Sequence, residues 1–180
     1  IFNSVSLSMA PEEREVLSQS SLDNAVVLGW SPKATSLAER METVKSMVSQ
    51  ARSMGIRSLM VDPGTLPVGA GYGLEYRTVL AVKSELGYPT CLGPHNAPAS
   101  WRFIRQHFAE FPDIYLAADI AALVAAQVFA TDALMFGSLE RSREAFTAAA
   151  LIGNAIAAAS AEAHHAAGLE IKLFDPPTYE

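Results

Sequence analysis

The chain has 180 residues, half of them hydrophobic and 18% charged, with a formal charge of −6 and a slightly positive mean hydropathy. That is a globular composition with enough apolar side chains for a substantial core, and acidity without a basic patch excludes a nucleic-acid surface. The single Cys91 excludes an intrachain disulfide and a cysteine metal cluster, and it fits a reducing compartment.

Residues 1–5 read as a strand with Asn3 and Ser4 at its end. The chain opens on Ile1, directly on an apolar run, so native sequence is expected upstream. Pro11 followed by Glu12 and Glu13 opens a helix, because proline and acids suit a first turn. Ala25 to Gly29 is a second buried strand. Leu37, Met41, Val44, Val48 and Ala51 then alternate spacings of four and three, predicting an amphipathic helix over 34–54 that Gly55 closes. Ile56 to Val61 is a third strand, ending in Asp62-Pro63-Gly64. A glycine-rich loop leads to a helix with Tyr76, Val79, Val82 and Leu86 inward.

A fourth strand is expected over 89–93 and a helix over 98–110. Pro98 suits its first turn, and Trp101, Ile104 and Phe108 would form its buried stripe. Ile114-Tyr115-Leu116 and an alanine-rich helix to about Ala130 follow, then a fifth strand, Leu134-Met135-Phe136, ending at Gly137. The last helix runs from about Arg143 to Ala167, with Gly168 as its stop. Its apolar tract is interrupted by Asn154, Glu162, His164 and His165, which marks a packed helix rather than a membrane span. Residues 1–168 thus form one domain and 169–180 an irregular tail.

Strands recur about every thirty residues with helices between them, the period of a βα unit and of a parallel sheet. Five units cannot close an eight-stranded barrel of ~250 residues. The pattern leaves two α/β architectures, an open doubly wound sheet or the carboxyl-terminal part of a barrel.

In a parallel sheet the carboxyl ends of the strands share one face, where ligands bind. Asn3, Asp62, Asn96 and, more weakly, Glu140 follow strand ends. Two amides and a carboxylate suit a flat heterocycle with donor and acceptor edges, and no nucleophile elbow is present. Each residue also has a plainer use: Asn96 as a helix N-cap, Asp62-Pro63-Gly64 as a turn, Asn3 as a local backbone cap. Gly69, Gly71 and Gly73 lack the dinucleotide fingerprint and the phosphate-loop lysine. Neighbouring His164 and His165 point ~100° apart and read as cations near a helix end. Cys91 reads as a small buried hydrophobe. His95 is placed for function, and equally for a loop contact.

Gly69-Ala70-Gly71, Arg77-Thr78, Ala81-Val82-Lys83-Ser84, Gly87-Tyr88-Pro89, Gly93, His95-Asn96, Pro98 and Trp101 together resemble the H subunit of archaeal tetrahydromethanopterin S-methyltransferase. Asn3-Ser4, Val27-Leu28-Gly29-Trp30 and Asp132 to Gly137 resemble that family's strand ends, so the resemblance covers about residues 1–140. Ser138 departs from the family's usual proline. Methyltetrahydrofolate:corrinoid methyltransferases are weaker relatives, ending the same strand in Ser-Asn rather than His-Asn.

The resemblance implies a pterin-binding (β/α)8 barrel of the TIM type, of which this chain would supply about strands four to eight. It implies a methyltransferase of archaeal one-carbon metabolism and methanogenesis. The methyl group of N-methyl-tetrahydromethanopterin would pass to the cobalt(I) of a corrinoid, a cobalamin, carried by a partner protein. Asp62 would hold the pyrimidine edge, Asn3 the same ring system, and Asn96 the methyl-bearing nitrogen as the catalytic residue, with Gly93 giving close backbone approach. No metal ligand is implied. Expected partners are the corrinoid protein or a membrane-associated methyltransferase complex, and a second copy or another chain covering the exposed barrel edge. The expected location is cytoplasmic, at most peripheral to a membrane. The alternatives are a non-catalytic half-barrel subunit that docks a corrinoid protein, and a methyltetrahydrofolate:corrinoid methyltransferase.

Overall fold

A computed structural model describes residues 1–137 and 139–166, the last six by backbone alone. Three strands, β1 (Phe2–Val5), β2 (Asn24–Leu28) and β3 (Ser58–Asp62), form one parallel sheet in sequential order. β4 (Cys91–Leu92) and β5 (Ala133–Leu134) form a second parallel pair. A parallel bridge between Val61 and Thr90 carries the order across from β3 to β4. Between the strands lie α1 (Pro11–Gln19), α2 (Leu37–Ser53), α3 (Leu74–Ala81, extended by a wider π turn, Val82–Leu86), α4 (Asn96–Ser100), α5 (Arg102–His107) and α6 (Pro112–Val128), and α7 (Ser142–Ala166) follows β5.

The register shows which face each side chain takes. Ala25 pairs with Leu59 and Val27 with Val61, so these four share a face. There they pack on Leu17 of α1 and on Met41, Val44, Met47 and Ala51 of α2. Val61 also meets Ala81 and Val82, and Leu92 meets Tyr76, Val79 and Ala126. Helices α1, α2, α3 and α6 therefore cover one face of the strands. Gly29 makes this possible for α2, because a Cβ there would strike Val44.

The opposite face carries Asn3, Val26, Met60, Asp62, Cys91 and Met135. A register slip within β1 sorts the first of these. Asn3 pairs with Val26, yet Val5, two residues on, pairs with Val27. Without the slip, residues two apart would share a face. With it, Val5 joins the core at 1% exposure while Asn3 turns to the other side. The Nδ2 atom of Asn3 lies 3.9 Å from Sδ of Met135, so the first strand and the residue after the fifth meet across this face. The strand array is curled, with the helices outside.

Several expected elements shift. The helix predicted over 34–54 begins at Leu37, where Ser36 and Glu39 form a reciprocal capping box. Ile114-Tyr115-Leu116 lies within α6, which Pro112 opens. The helix predicted over 98–110 is two short helices broken at Trp101, whose ψ of 118° is extended. The Trp101 N–H turns back to the Pro98 carbonyl at 3.1 Å, and the Ser100 hydroxyl donates to the Ala97 carbonyl at 2.8 Å, closing α4. The break also undoes the expected stripe: Ile104 is 2% exposed, but Trp101 is 36% and Phe108 48% exposed. Ser138, Gly168 and the 169–180 tail lie outside the described residues, as do the side chains of His164 and His165. No described helix is long and apolar enough to cross a membrane.

Candidate functional site

Asp62 ends β3 on the uncovered face. Its Oδ1 accepts the Gly64 N–H at 2.7 Å, so the turn reading is correct for one oxygen. The second oxygen has no hydrogen-bond partner among the described residues, and the residue is only 9% exposed. Burial pushes its carboxyl up to about 6, against the opposing effects of the Gly64 N–H and the Arg40 guanidinium. Gly64 takes a φ of 73° under Trp30, where a Cβ would come within 2.7 Å of the indole side chain. The turn is therefore closed to any larger residue.

Thr65 follows, and its hydroxyl donates to the Gly93 carbonyl at 3.0 Å, tying the Asp62 turn to the end of β4. At Gly93 a Cβ would sit 3.1 Å from Nδ2 of Asn96 and 3.5 Å from the His95 ring. The N-cap of α4 is His95, not Asn96, and no side chain caps that end. Asn96 is exposed and its amide has no hydrogen bond among the described residues, so the capping explanation for it does not hold.

His95 has a local partner: its Nδ1 donates to the Met135 carbonyl at 3.2 Å, and a carbonyl can only accept. The ring also lies against Gly137, where a Cβ would meet it at 2.9 Å. Met135 in turn touches Asn3. Asn3, Met135, His95, Asn96, Gly93, Thr65 and Asp62 thus form one continuous belt, and the four expected site residues are all on it. Glu140, in a 3₁₀ turn (Leu139–Arg141) before α7, is exposed.

Cys91 lies on the same face, 2% exposed. Burial first, then the Asp62 charge, push its thiol up to about 12. It stays protonated and unreactive, since the thiolate is the nucleophile.

Three buried charges escaped the sequence reading: Arg40 and Glu75 at 0% exposure and Asp119 at 1%. A signal was there. Arg40 is in helical step with Val44, Met47 and Ala51, Glu75 with Val79 and Val82, and Asp119 with Ala122, Leu123 and Ala126. A charge inside an apolar stripe marks a buried polar contact. Arg40 Nη2 donates to the carbonyls of Pro63 and of Gly64, the latter at 2.8 Å. Glu75 Oε2 accepts the Gly73 N–H at 2.9 Å. Burial raises the Glu75 carboxyl, and raises that of Asp119, which His95 and Arg141 oppose.

Comparison with known proteins decides the family. The family model described as "Tetrahydromethanopterin S-methyltransferase MtrH subunit" matches residues 1–171, further than the sequence resemblance reached. The chain belongs to the MtrH subunit family. Among its relatives, the H subunit of the mtx methyltransferase of Methanosarcina mazei is 32% identical over 170 residues, covering 90% of this chain and 55% of that protein. The H subunit of tetrahydromethanopterin S-methyltransferase from Methanothermobacter marburgensis is 30% identical over 159 residues, covering 84% of this chain and 51% of that protein. Its counterpart in Methanosarcina acetivorans is 29% identical over 163 residues, 84% of this chain and 52% of that protein. The chain therefore spans about half the length of the curated MtrH relatives it matches. Those relatives are named as one subunit of a methyltransferase.

Proposed function

We propose that this MtrH-family chain binds N-methyl-tetrahydromethanopterin on the belt from Asn3 to Asp62 and takes part in moving its methyl group to a corrinoid on a partner protein. The observation that carries this reading is the convergence of Asn3, Asp62, Gly93 and Asn96 on one face at the carboxyl ends of the strands. The sequential parallel order, with helices on one face only, supports the (β/α)8 barrel architecture over a doubly wound sheet, with these strands as about the fourth to eighth.

The donor set fits a pterin. Asp62 offers a free carboxylate oxygen to a donor edge, while Asn3 and Asn96 each offer an amide donor and acceptor. Glycine at 93 leaves the backbone open to a flat ring beside Asn96. The methyl group leaves with the carbon–nitrogen bond broken and the electron pair on nitrogen, which then needs a proton. A tertiary amine leaves poorly without that help, and general acid assistance is worth ~10²–10⁴-fold. The Asn96 amide can donate a hydrogen bond to the nitrogen as charge gathers there, but it has no labile proton, so the proton comes through water. The inert Cys91 thiol cannot accept the methyl group. The cobalt(I) of the partner's corrinoid supplies the nucleophile in this reading, and the chain's task is to orient the pterin and exclude bulk water.

The test is single-turnover methyl transfer by the full-length protein with its corrinoid partner, with pterin binding measured alongside. Asn96→Ala should slow transfer far more than it weakens binding, the mark of an interaction made in the transition state. Asn96→Asp should be slower still, because an ionised carboxylate cannot donate. Since Asn96 caps no helix, both variants should keep parental stability. Native-rate transfer by the Asp variant would remove Asn96 from the mechanism. Transfer from methyltetrahydrofolate in place of the methanopterin donor would favour the folate reading.

A further inference from the structure

Arg40 stands on α2, away from every strand end, yet its side chain is wholly buried beside the turn that carries Asp62. Nη2 reaches the carbonyls of Pro63 and Gly64, and Gly64 in turn donates to Asp62 Oδ1. The other guanidinium donors, Nε and Nη1, are buried without a hydrogen-bond partner, and so is Oε1 of Glu75. A buried cation with idle donors is costly unless anions face it. The anions here are Asp62 and Glu75, which act on Arg40 electrostatically from β3 and α3.

We infer that Arg40 is a positioning residue for the ligand belt, fixing the Asp62–Gly64 turn through two carbonyls and keeping the Asp62 carboxylate charged for its ligand. The second half of this role rests on the pterin reading above; the first does not. The groups that face Asp62 are Arg40 from α2, Glu75 from α3 beyond it, and Cys91 from β4, whose thiol is neutral. Arg40 is the sole cation among them. Without it the burial of Asp62 acts almost unopposed, and the carboxyl rises further above about 6. Glu75 has a supporting place: it holds Arg40 from the far side while the Gly73 N–H, at the start of α3, holds one of its own oxygens.

The experiment is carbon-13 NMR titration of the Asp62 carboxyl in the full-length protein, comparing the parent with Arg40→Met, Arg40→Gln and Arg40→Lys. The glutamine variant keeps an amide donor for the two carbonyls, so it serves where the methionine variant fails to fold. Both neutral variants should raise the Asp62 midpoint by about one to two pH units. The lysine variant should leave it near the parental position. Binding of N-methyl-tetrahydromethanopterin gives the second readout. At pH 7 the neutral variants should lose about two- to tenfold in affinity as the charged fraction of Asp62 falls, and recover much of it at pH 9. A structural role alone would lower affinity equally at both pH values. An unchanged Asp62 midpoint in the neutral variants overturns the inference. A parent protein that binds no pterin overturns the pterin reading instead, while the NMR titration still decides the place of Arg40.

Discussion

Replacing Asp62 with asparagine should stabilise the protein while weakening ligand binding. The carboxyl titrates at about 6 in the folded chain against an ordinary 3.8, because burial penalises its charge. A raised carboxyl is a cost to folding that is fully present above the folded value and fades as pH falls toward the unfolded one. The gap corresponds to about 3 kcal/mol at pH 8, falling to about 1.6 kcal/mol at pH 5. Asparagine keeps an Oδ1 acceptor for the Gly64 N–H and forfeits about 1 kcal/mol of charge assistance. Asp62→Asn should therefore be about 2 kcal/mol more stable than the parent at pH 8 and less than about 1 kcal/mol more stable at pH 5. Urea unfolding at the two pH values, read as midpoint at constant m, measures this. Pterin affinity should fall about ten- to a hundredfold, the loss of one charge-assisted hydrogen bond. A variant less stable than the parent at pH 8, or an advantage that does not shrink at pH 5, would refute the reasoning and leave Asp62 as a turn residue alone.

Gly64→Ala combines a φ of 73° with a Cβ that would sit 2.7 Å from Trp30. It should cost about 2–4 kcal/mol in thermal or urea unfolding and lower pterin affinity through the displaced Asp62. Gly29→Ala drives a methyl group into Val44 on the helix-covered face; it should destabilise by about 1–3 kcal/mol in the same assay, with pterin affinity kept in the fraction that remains folded.

The period of strands and helices was legible because β1, β2 and β3 are apolar runs bounded by glycine, proline or polar residues, and the structure places strands at all five expected positions. Asn3, Asp62, Gly93 and Asn96 were legible for the same reason, each following a strand end. The lengths of β4 and β5 were not, since two-residue ladders are set by neighbouring strands rather than by propensity. The outward turn of Trp101 and Phe108 was not legible either. Spacing of three and four fixes a stripe only while a helix continues, and here the backbone breaks at Trp101 itself. Arg40 and Glu75 were passed over because a charge within an apolar stripe is easily read as a solvated exception; only the folded chain shows both at 0% exposure, with Arg40 against the Asp62 turn.

The slip at Ser4 bears on how this family can tolerate insertions and deletions. Most surface loops accept a gained or lost residue at little expense. At Ser4 the loss of one residue would restore even pairing with β2, and Asn3 and Val5 would then be forced onto a common side. Either an amide enters the core or a valine leaves it. Core and binding face would fail together, so length variation among descendants of this sequence should spare residues 2–5 and collect in the connections beyond them.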